Sequence, residues 1–473
     1  MSCTSPTILS FKLTLGSRQP HKAHFRISEL FNLFDQCISR FLLRPDTSDI
    51  KLDTVQALLL YIQWMPFNMS SGSRSQGPPA SRYNDISAWA VLGLAARYAK
   101  LLRMNREMAI PRESAQDEEE FPRLRIYYNL ISCDFNLMLS SGLPVSIDPT
   151  STQQGMHRLI GSPGSQLPGD LRIVALIELV SLTYQTLIRC GDFTGRKLDL
   201  RSLKSLNAGI DQWEMVWMSK LAHTTSQHIQ LPFTSMRWYR LTLNSAPLAS
   251  LLSIKGTKPQ QSQLLLLQAL ERSLTAASQI VLSYAKNAGQ WIWELDSQLP
   301  SSFPQGYFEL DTEASDRMQY AVDSSWISYS FSVTFLVLCF VREVVDGKRD
   351  KTAQTNIMLT PSVAEDLQLR IMQSEASSND SHSRTPQPHS IICRLMRLVL
   401  DVCDQVEQFS LFCPGRNFRR IIVQAVSMLG VTNTVDNAEI TDDEANMQSI
   451  LDLIHESGFE FGMEDNLGND WFV

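Results

Sequence analysis

Apolar residues recur at helical spacing along most of this chain, and no stretch alternates with the period of two that a half-buried strand requires. The clearest pattern lies between Asp53 and Asp148. Val55, Leu58, Leu59 and Ile62 form one helical stripe that opens at Asp53 and stops at Pro66. A second helix is predicted over 84–103. It carries Ile86, Trp89, Leu94, Tyr98 and Leu101, with small residues (Ala88, Ala90, Gly93, Ala95, Ala96, Ala99) through its middle. So little side chain lets partner helices approach closely, which places this helix at the centre of the fold. A third helix holds Leu124, Tyr127, Tyr128, Leu130, Ile131, Phe135 and Leu139. Ser141-Gly142 and Pro144 end it.

The same spacing predicts helices over 28–43, 169–191, 200–222, 230–253, 260–287, 314–346, 389–408 and 416–430. Residues 105–120 read as a charged loop whose terminal acids favour the helix that follows. Ser/Gly/Pro-rich stretches at 68–82, 149–168 and 374–388 read as flexible loops. Residues 288–312 read as irregular. The expected fold class is all-α, an irregular multi-helix array. Its expected parts are an irregular arm (1–27), a helical body (28–435) and an acidic-hydrophobic tail (436–473).

Charge sharpens that division. The formal net charge is −7, yet residues 436–473 carry eleven acids and no Lys or Arg, leaving the body with 42 basic against 38 acidic residues, a net of +4. A near-neutral body gives no electrostatic case for gripping nucleic acid. The tail mixes its acids with Ile450, Leu451, Ile454, Phe459, Phe461, Trp471 and Phe472, a composition that keeps a segment solvated while leaving apolar anchors for a partner. Thr441 and Glu444 read as a capping box that opens a short helix over 442–457. The uncharged run Ser324–Val341 reaches the lower limit of a membrane span but reads as a buried core helix.

The ordered motifs resemble the middle homology region of fungal zinc-cluster transcription factors. The carrying residues are Trp89, Gly93, Ala95, Arg97 and Ala99 on the second helix. On the third they are Arg123, Arg125, Tyr127, Tyr128 and Asp134, followed by Gly142 and Pro144. Arg237–Leu248 (RWYRLTLNSAPL) is similar to a further helix of that family. The resemblance implies regulation of transcription by RNA polymerase II, a nuclear location, partners in the transcription machinery or another transcription factor, and the possibility of a homodimer. It departs from the family in one respect. Cys3, Cys37, Cys133, Cys190, Cys339, Cys393, Cys403 and Cys413 are never closer than ten residues apart, so they cannot form the six-cysteine zinc cluster. The DNA-binding module is therefore expected to be absent from this chain, and DNA to be reached only through a partner or a missing N-terminal zinc cluster. Scattered cysteines of this kind suit a reducing compartment and burial as small apolar groups.

No nucleotide loop, zinc-protease or serine-hydrolase motif is present. Asp442-Asp443-Glu444 reads as a helix start rather than a magnesium site. No catalytic, cofactor-binding or metal residue is assigned, and no cofactor is expected. A co-regulator acting through a partner, or an all-helical enzyme of unrecognised type, is the alternative. Arg97 is expected to be half-buried and paired with an acid such as Asp134. Arg123 and Arg125 are read as a solvated or ion-paired face, and Arg416, Arg419 and Arg420 as a solvated one.

Overall fold

The computed structural model describes residues 33–63, 86–104, 117–152, 155–156, 159–160, 168–191, 198–221, 231–248, 263–288, 306–342, 344–345, 385–409 and 415–431. The expected arm over 1–27, the loop 68–82, the insert 374–388 and the acidic tail with its capped helix lie outside the described residues, apart from 385–388. Twelve helices are described: α1 (33–43), α2 (Leu52–Gln63), α3 (Ile86–Leu101), α4 (Asp117–Ser141), α5 (Pro168–Arg189), α6 (Leu200–Leu221), α7 (Leu231–Ser245), α8 (Gln263–Leu282), α9 (Thr312–Met318), α10 (Asp323–Val341), α11 (Ile391–Glu407) and α12 (Gly415–Ser427). Among the described residues there is no strand; Ala285 and Leu310 form an isolated antiparallel bridge. The fold class is all-α.

Helix ends differ from the sequence expectation where local chemistry intervenes. The acid run 117–120 is the first turn of α4 rather than the loop before it, and Pro122 sits inside the helix near its start. At this sixth helical position proline forgoes one intrahelical N–H bond, since only the first four N–H groups of a helix lack a partner. Gly142 ends α4 as expected, with φ of 73° and its N–H donated to Met138 O at 2.8 Å. α7 stops at Ser245 because Pro247 disfavours helical geometry at the residue before it, and a 3₁₀ turn, Ala246–Leu248, takes over.

The single helix expected over 314–346 is two. Asp311 caps α9 by accepting the Ala314 N–H at 3.0 Å. After a turn at 319–322 and an extended Val322, α10 begins. Separating the charged α9 from α10, which is uncharged beyond its first residue, lets one lie at the surface while the other crosses the interior. Gln405 Nε2 on α11 holds α9 through Asp316 Oδ1 at 2.8 Å. α10 is buried almost throughout. Its Ser328, Ser330, Ser332 and Thr334 hydroxyls donate to carbonyls three or four residues back, so these small hydroxyls can be dry without being stranded. By length and composition two described helices, α10 and the stretch Gly169–Arg189 of α5, could cross a membrane, but both pack into the body.

α2, α3 and α4 pack on one another, as the motif order suggests, but they do not form the centre of the array. That place falls to α7 and α8. α7 packs against α4, α5, α6 and α8, and its residues 236–245 are all buried. α8 reaches α6, α10 and α11. α3 leaves Arg97, Lys100 and Leu101 exposed. Edge-on ring pairs join the layers through α7: Phe135 with Tyr239, and Trp238 with Phe331. Of the six described cysteines, Cys133, Cys339, Cys393 and Cys403 are buried, with burial raising each thiol (Cys403 to about 12), while Cys37 and Cys190 are exposed.

Candidate functional site

Of the motif residues, Trp89 and Gly93 of α3 and Asp134 of α4 meet at one loop, 142–148. Trp89, Gly93 and Arg97 stand at i, i+4 and i+8 and so share a stripe of α3. Trp89 is half-buried and its Nε1–H donates to Pro144 O at 2.9 Å. A Cβ at Gly93 would lie 3.6 Å from Arg97 Nη1 and 3.7 Å from Ser146 Oγ, so a larger side chain there would push into the loop. From the other side, Asp134 Oδ2 accepts the Ser146 and Ile147 N–H groups at 2.6 and 2.8 Å. The Trp and Asp therefore pin the loop from opposite walls.

Arg97 is not Asp134's partner. It is exposed, because the face of α3 that meets α2 and α4 carries Ala88, Leu92, Ala95 and Ala99, which turns Arg97 outward. Arg123 and Arg125 are structural. Arg123 Nη2 donates to Leu102 O beyond the end of α3 at 2.8 Å. Arg125 forms a two-point fork on buried Asp170 at 2.7 and 2.8 Å, which ties α4 to the first turn of α5. Tyr127 and Tyr128 are core residues. On α12, Arg419 is not merely solvated: it donates to Cys403 O at 3.0 Å and pairs with Glu407 at 2.6 Å.

Two measurements follow for this clasp. Trp89→Ala is expected to cost about 2 kcal/mol in chemical denaturation, below the ~3–5 of a fully buried aromatic, because the ring is only half-covered. Trp89→Phe should recover most of that, less the lost hydrogen bond.

Asp134 should show itself as a pH effect. Burial pushes its carboxyl up to about 7, against the pull of the Ile147 and Ser146 N–H groups and of Lys100. The unfolded value is about 3.9. Folding therefore takes up a proton between those limits, and this group's stabilisation is greatest below about pH 4 and declines as pH rises towards 7. Asp134→Asn, which keeps an acceptor, is expected to remove the decline, so that the melting temperature of the variant gains on the parent between pH 4 and 7.

The densest polar cluster lies elsewhere, where α6, α7 and α8 meet. Asn207, Asp211 and Glu214 stand at i, i+4 and i+7 on α6; Arg237, Arg240 and Asn244 stand at i, i+3 and i+7 on α7. Asn207 and Asn244 exchange amide hydrogen bonds at 2.8 and 3.0 Å. Arg240 bonds Glu214 Oε2 at 2.7 Å and also Asp211 Oδ1. Arg272, from α8, forks onto Asp211 at 2.6 and 2.7 Å. Arg237 is fully buried beside them, its guanidinium drawn down by burial and held up by Glu214. Glu214 is itself pushed up by burial and pulled down by Arg240.

Above this cluster opens a cleft of about 310 Å³ lined by both polar and apolar residues of α6 and α8, with Asn244 of α7 at its base. Sequence reading singled out Arg237–Leu248 only as a family likeness and missed Asn207, Asp211, Glu214 and Arg272. A signal was there: three polar residues interrupt the apolar stripe of α6 at one angular position. Among the described residues no cluster of three His, Cys, Asp or Glu could hold a metal.

The fold and its motif clasp define an all-helical array with no assembled catalytic set among the described residues. A stretch of 149 residues is 24% identical to the transcriptional activator of proteases prtT of Emericella nidulans. The match covers 31% of this chain and 22% of that protein. No family model and no solved structure matches.

Proposed function

We propose that this chain is the regulatory part of a fungal transcription factor of the zinc-cluster type, acting in the nucleus through protein partners rather than by enzymatic chemistry. The observation that carries the reading is the similarity to a fungal transcriptional activator. The ordered motif set adds weight, since Trp89, Asp134, Gly142 and Pro144 serve one local construction. The residues of this chain carry no six-cysteine cluster and a body of near-neutral charge, so contact with DNA is assigned to a partner or to a separate zinc module. Residues 436–473 are the proposed activation segment, docking through Phe459, Phe461, Trp471 and Phe472 in an apolar groove of the transcription machinery.

The test fuses the whole chain to an unrelated DNA-binding domain upstream of a reporter in a fungal host. Activation that drops when residues 436–473 are deleted, or when the four aromatics become Ala, supports the reading. A silent fusion that is expressed and nuclear overturns the activator assignment. A chain that binds a DNA sequence specifically on its own at physiological salt overturns the division of labour.

A further inference from the structure

We propose that the cleft between α6 and α8 binds a small organic carboxylate with a short apolar chain. The cleft is lined by the apolar side chains of Leu200, Leu203 and Leu265 and presents Lys204, Asn207, Asp211 and Arg272 beside them. What these polar groups can offer a ligand is decided by what they already do. Asp211 is committed to two guanidiniums, those of Arg240 and Arg272. Glu271 also lines the cleft and has an interaction of its own. Arg272 spends two of its five N–H donors on Asp211 and is about one-third exposed. Lys204 is exposed, one turn from Asn207 on the same face of α6. Asn207 uses one amide hydrogen on Asn244 and keeps the other.

Lys204 and the unused edge of Arg272 are thus open cationic donors, and a ligand that satisfies them must bring acceptors with negative charge. A carboxylate matches a guanidinium edge and an ammonium group at once. An aliphatic chain of a few carbons then reaches the leucines, whose burial supplies affinity without direction. The volume, about 310 Å³, suits a molecule of this size. The floor is already organised: Asn244 also donates to the Arg240 backbone carbonyl one turn back on α7 at 2.8 Å, so the amide pair is oriented before any ligand arrives. This inference does not depend on the transcriptional reading, since its read-out is binding to the isolated chain.

The experiment titrates the purified full chain with butyrate, hexanoate and octanoate, and with hexylamine and hexan-1-ol as matched controls. Thermal shift and calorimetry are the two read-outs. Saturable carboxylate binding is expected, with each added methylene tightening it by about 3- to 4-fold until the leucine wall is covered. Hexylamine and hexan-1-ol should bind at least tenfold more weakly than hexanoate. Lys204→Met leaves the fold intact, because the side chain is exposed, and should weaken hexanoate about tenfold. Leu265→Gln should abolish the chain-length dependence while leaving butyrate nearly unchanged. Equal binding of amine and carboxylate, an unaltered affinity in Lys204→Met, or no saturable binding by any of the acids overturns the proposal.

Discussion

Glu214→Leu is expected to destabilise the chain by about 3–5 kcal/mol, the range found when one partner of a buried ion pair is removed. Glu214 is almost fully buried, and its Oε2 receives Arg240 Nη1 at 2.7 Å. Truncation leaves Arg240 with a share of Asp211 alone, and Arg237, which is buried beside it, loses the anion that stabilises its charge. Glu214→Gln preserves an acceptor and most of the volume, so it should fall between the parent and Glu214→Leu. Urea denaturation followed by circular dichroism separates the three. A Leu variant within 1 kcal/mol of the parent would mean that the two guanidiniums find other counter-charges.

A second large effect is expected from one added carbon. A Cβ built on Gly415 would stand 2.2 Å from Trp326 Cζ2, 2.5 Å from Cη2 and 2.7 Å from Cε2. These are overlaps, and the indole cannot swing aside because Trp326 is itself buried. Gly415→Ala must therefore move α12 away from α10, at a cost of about 1–3 kcal/mol or more for overpacking. Trp326→Phe removes the ring atoms concerned. It leaves a cavity of its own, yet the double variant should be more stable than the two single losses added together. A positive coupling energy of that kind is the check. Strict additivity would show that the helices absorb the methyl elsewhere.

How much of this was legible in the sequence depends on which forces are local. Helix identity was legible, because the apolar stripes at 52–63 and 200–221 and the stop at Gly142 act through neighbouring backbone, whereas the helix expected over 230–253 ran through Pro247 and in fact ends at Ser245. The break between α9 and α10 was not, since Val322 is extended without a side-chain cap and the turn serves the packing of two helices on different layers. Arg97 was misjudged for a related reason. A sequence gives the spacing of a stripe but not which way the helix is turned, and only the packing of Ala88, Leu92, Ala95 and Ala99 on α2 and α4 sets that angle. The polar cluster had a visible half on each of α6 and α7, but neither half has meaning until the two helices face each other. The likeness carried by Arg237–Leu248 pointed to α7 without revealing that it is the hub of the array.

The matched ladders on α6 and α7 also limit how these helices can move. Advancing α7 by one residue would turn it by about 100° and carry it 1.5 Å along its axis. Arg240 would then leave Glu214 and Asn244 would leave Asn207, and four polar groups would be stranded in a dry interior together. Gradual slippage is therefore uphill at every step, and the pair behaves as a detent with a single seat. A partner or ligand that bears on α7 therefore cannot ratchet it past α6.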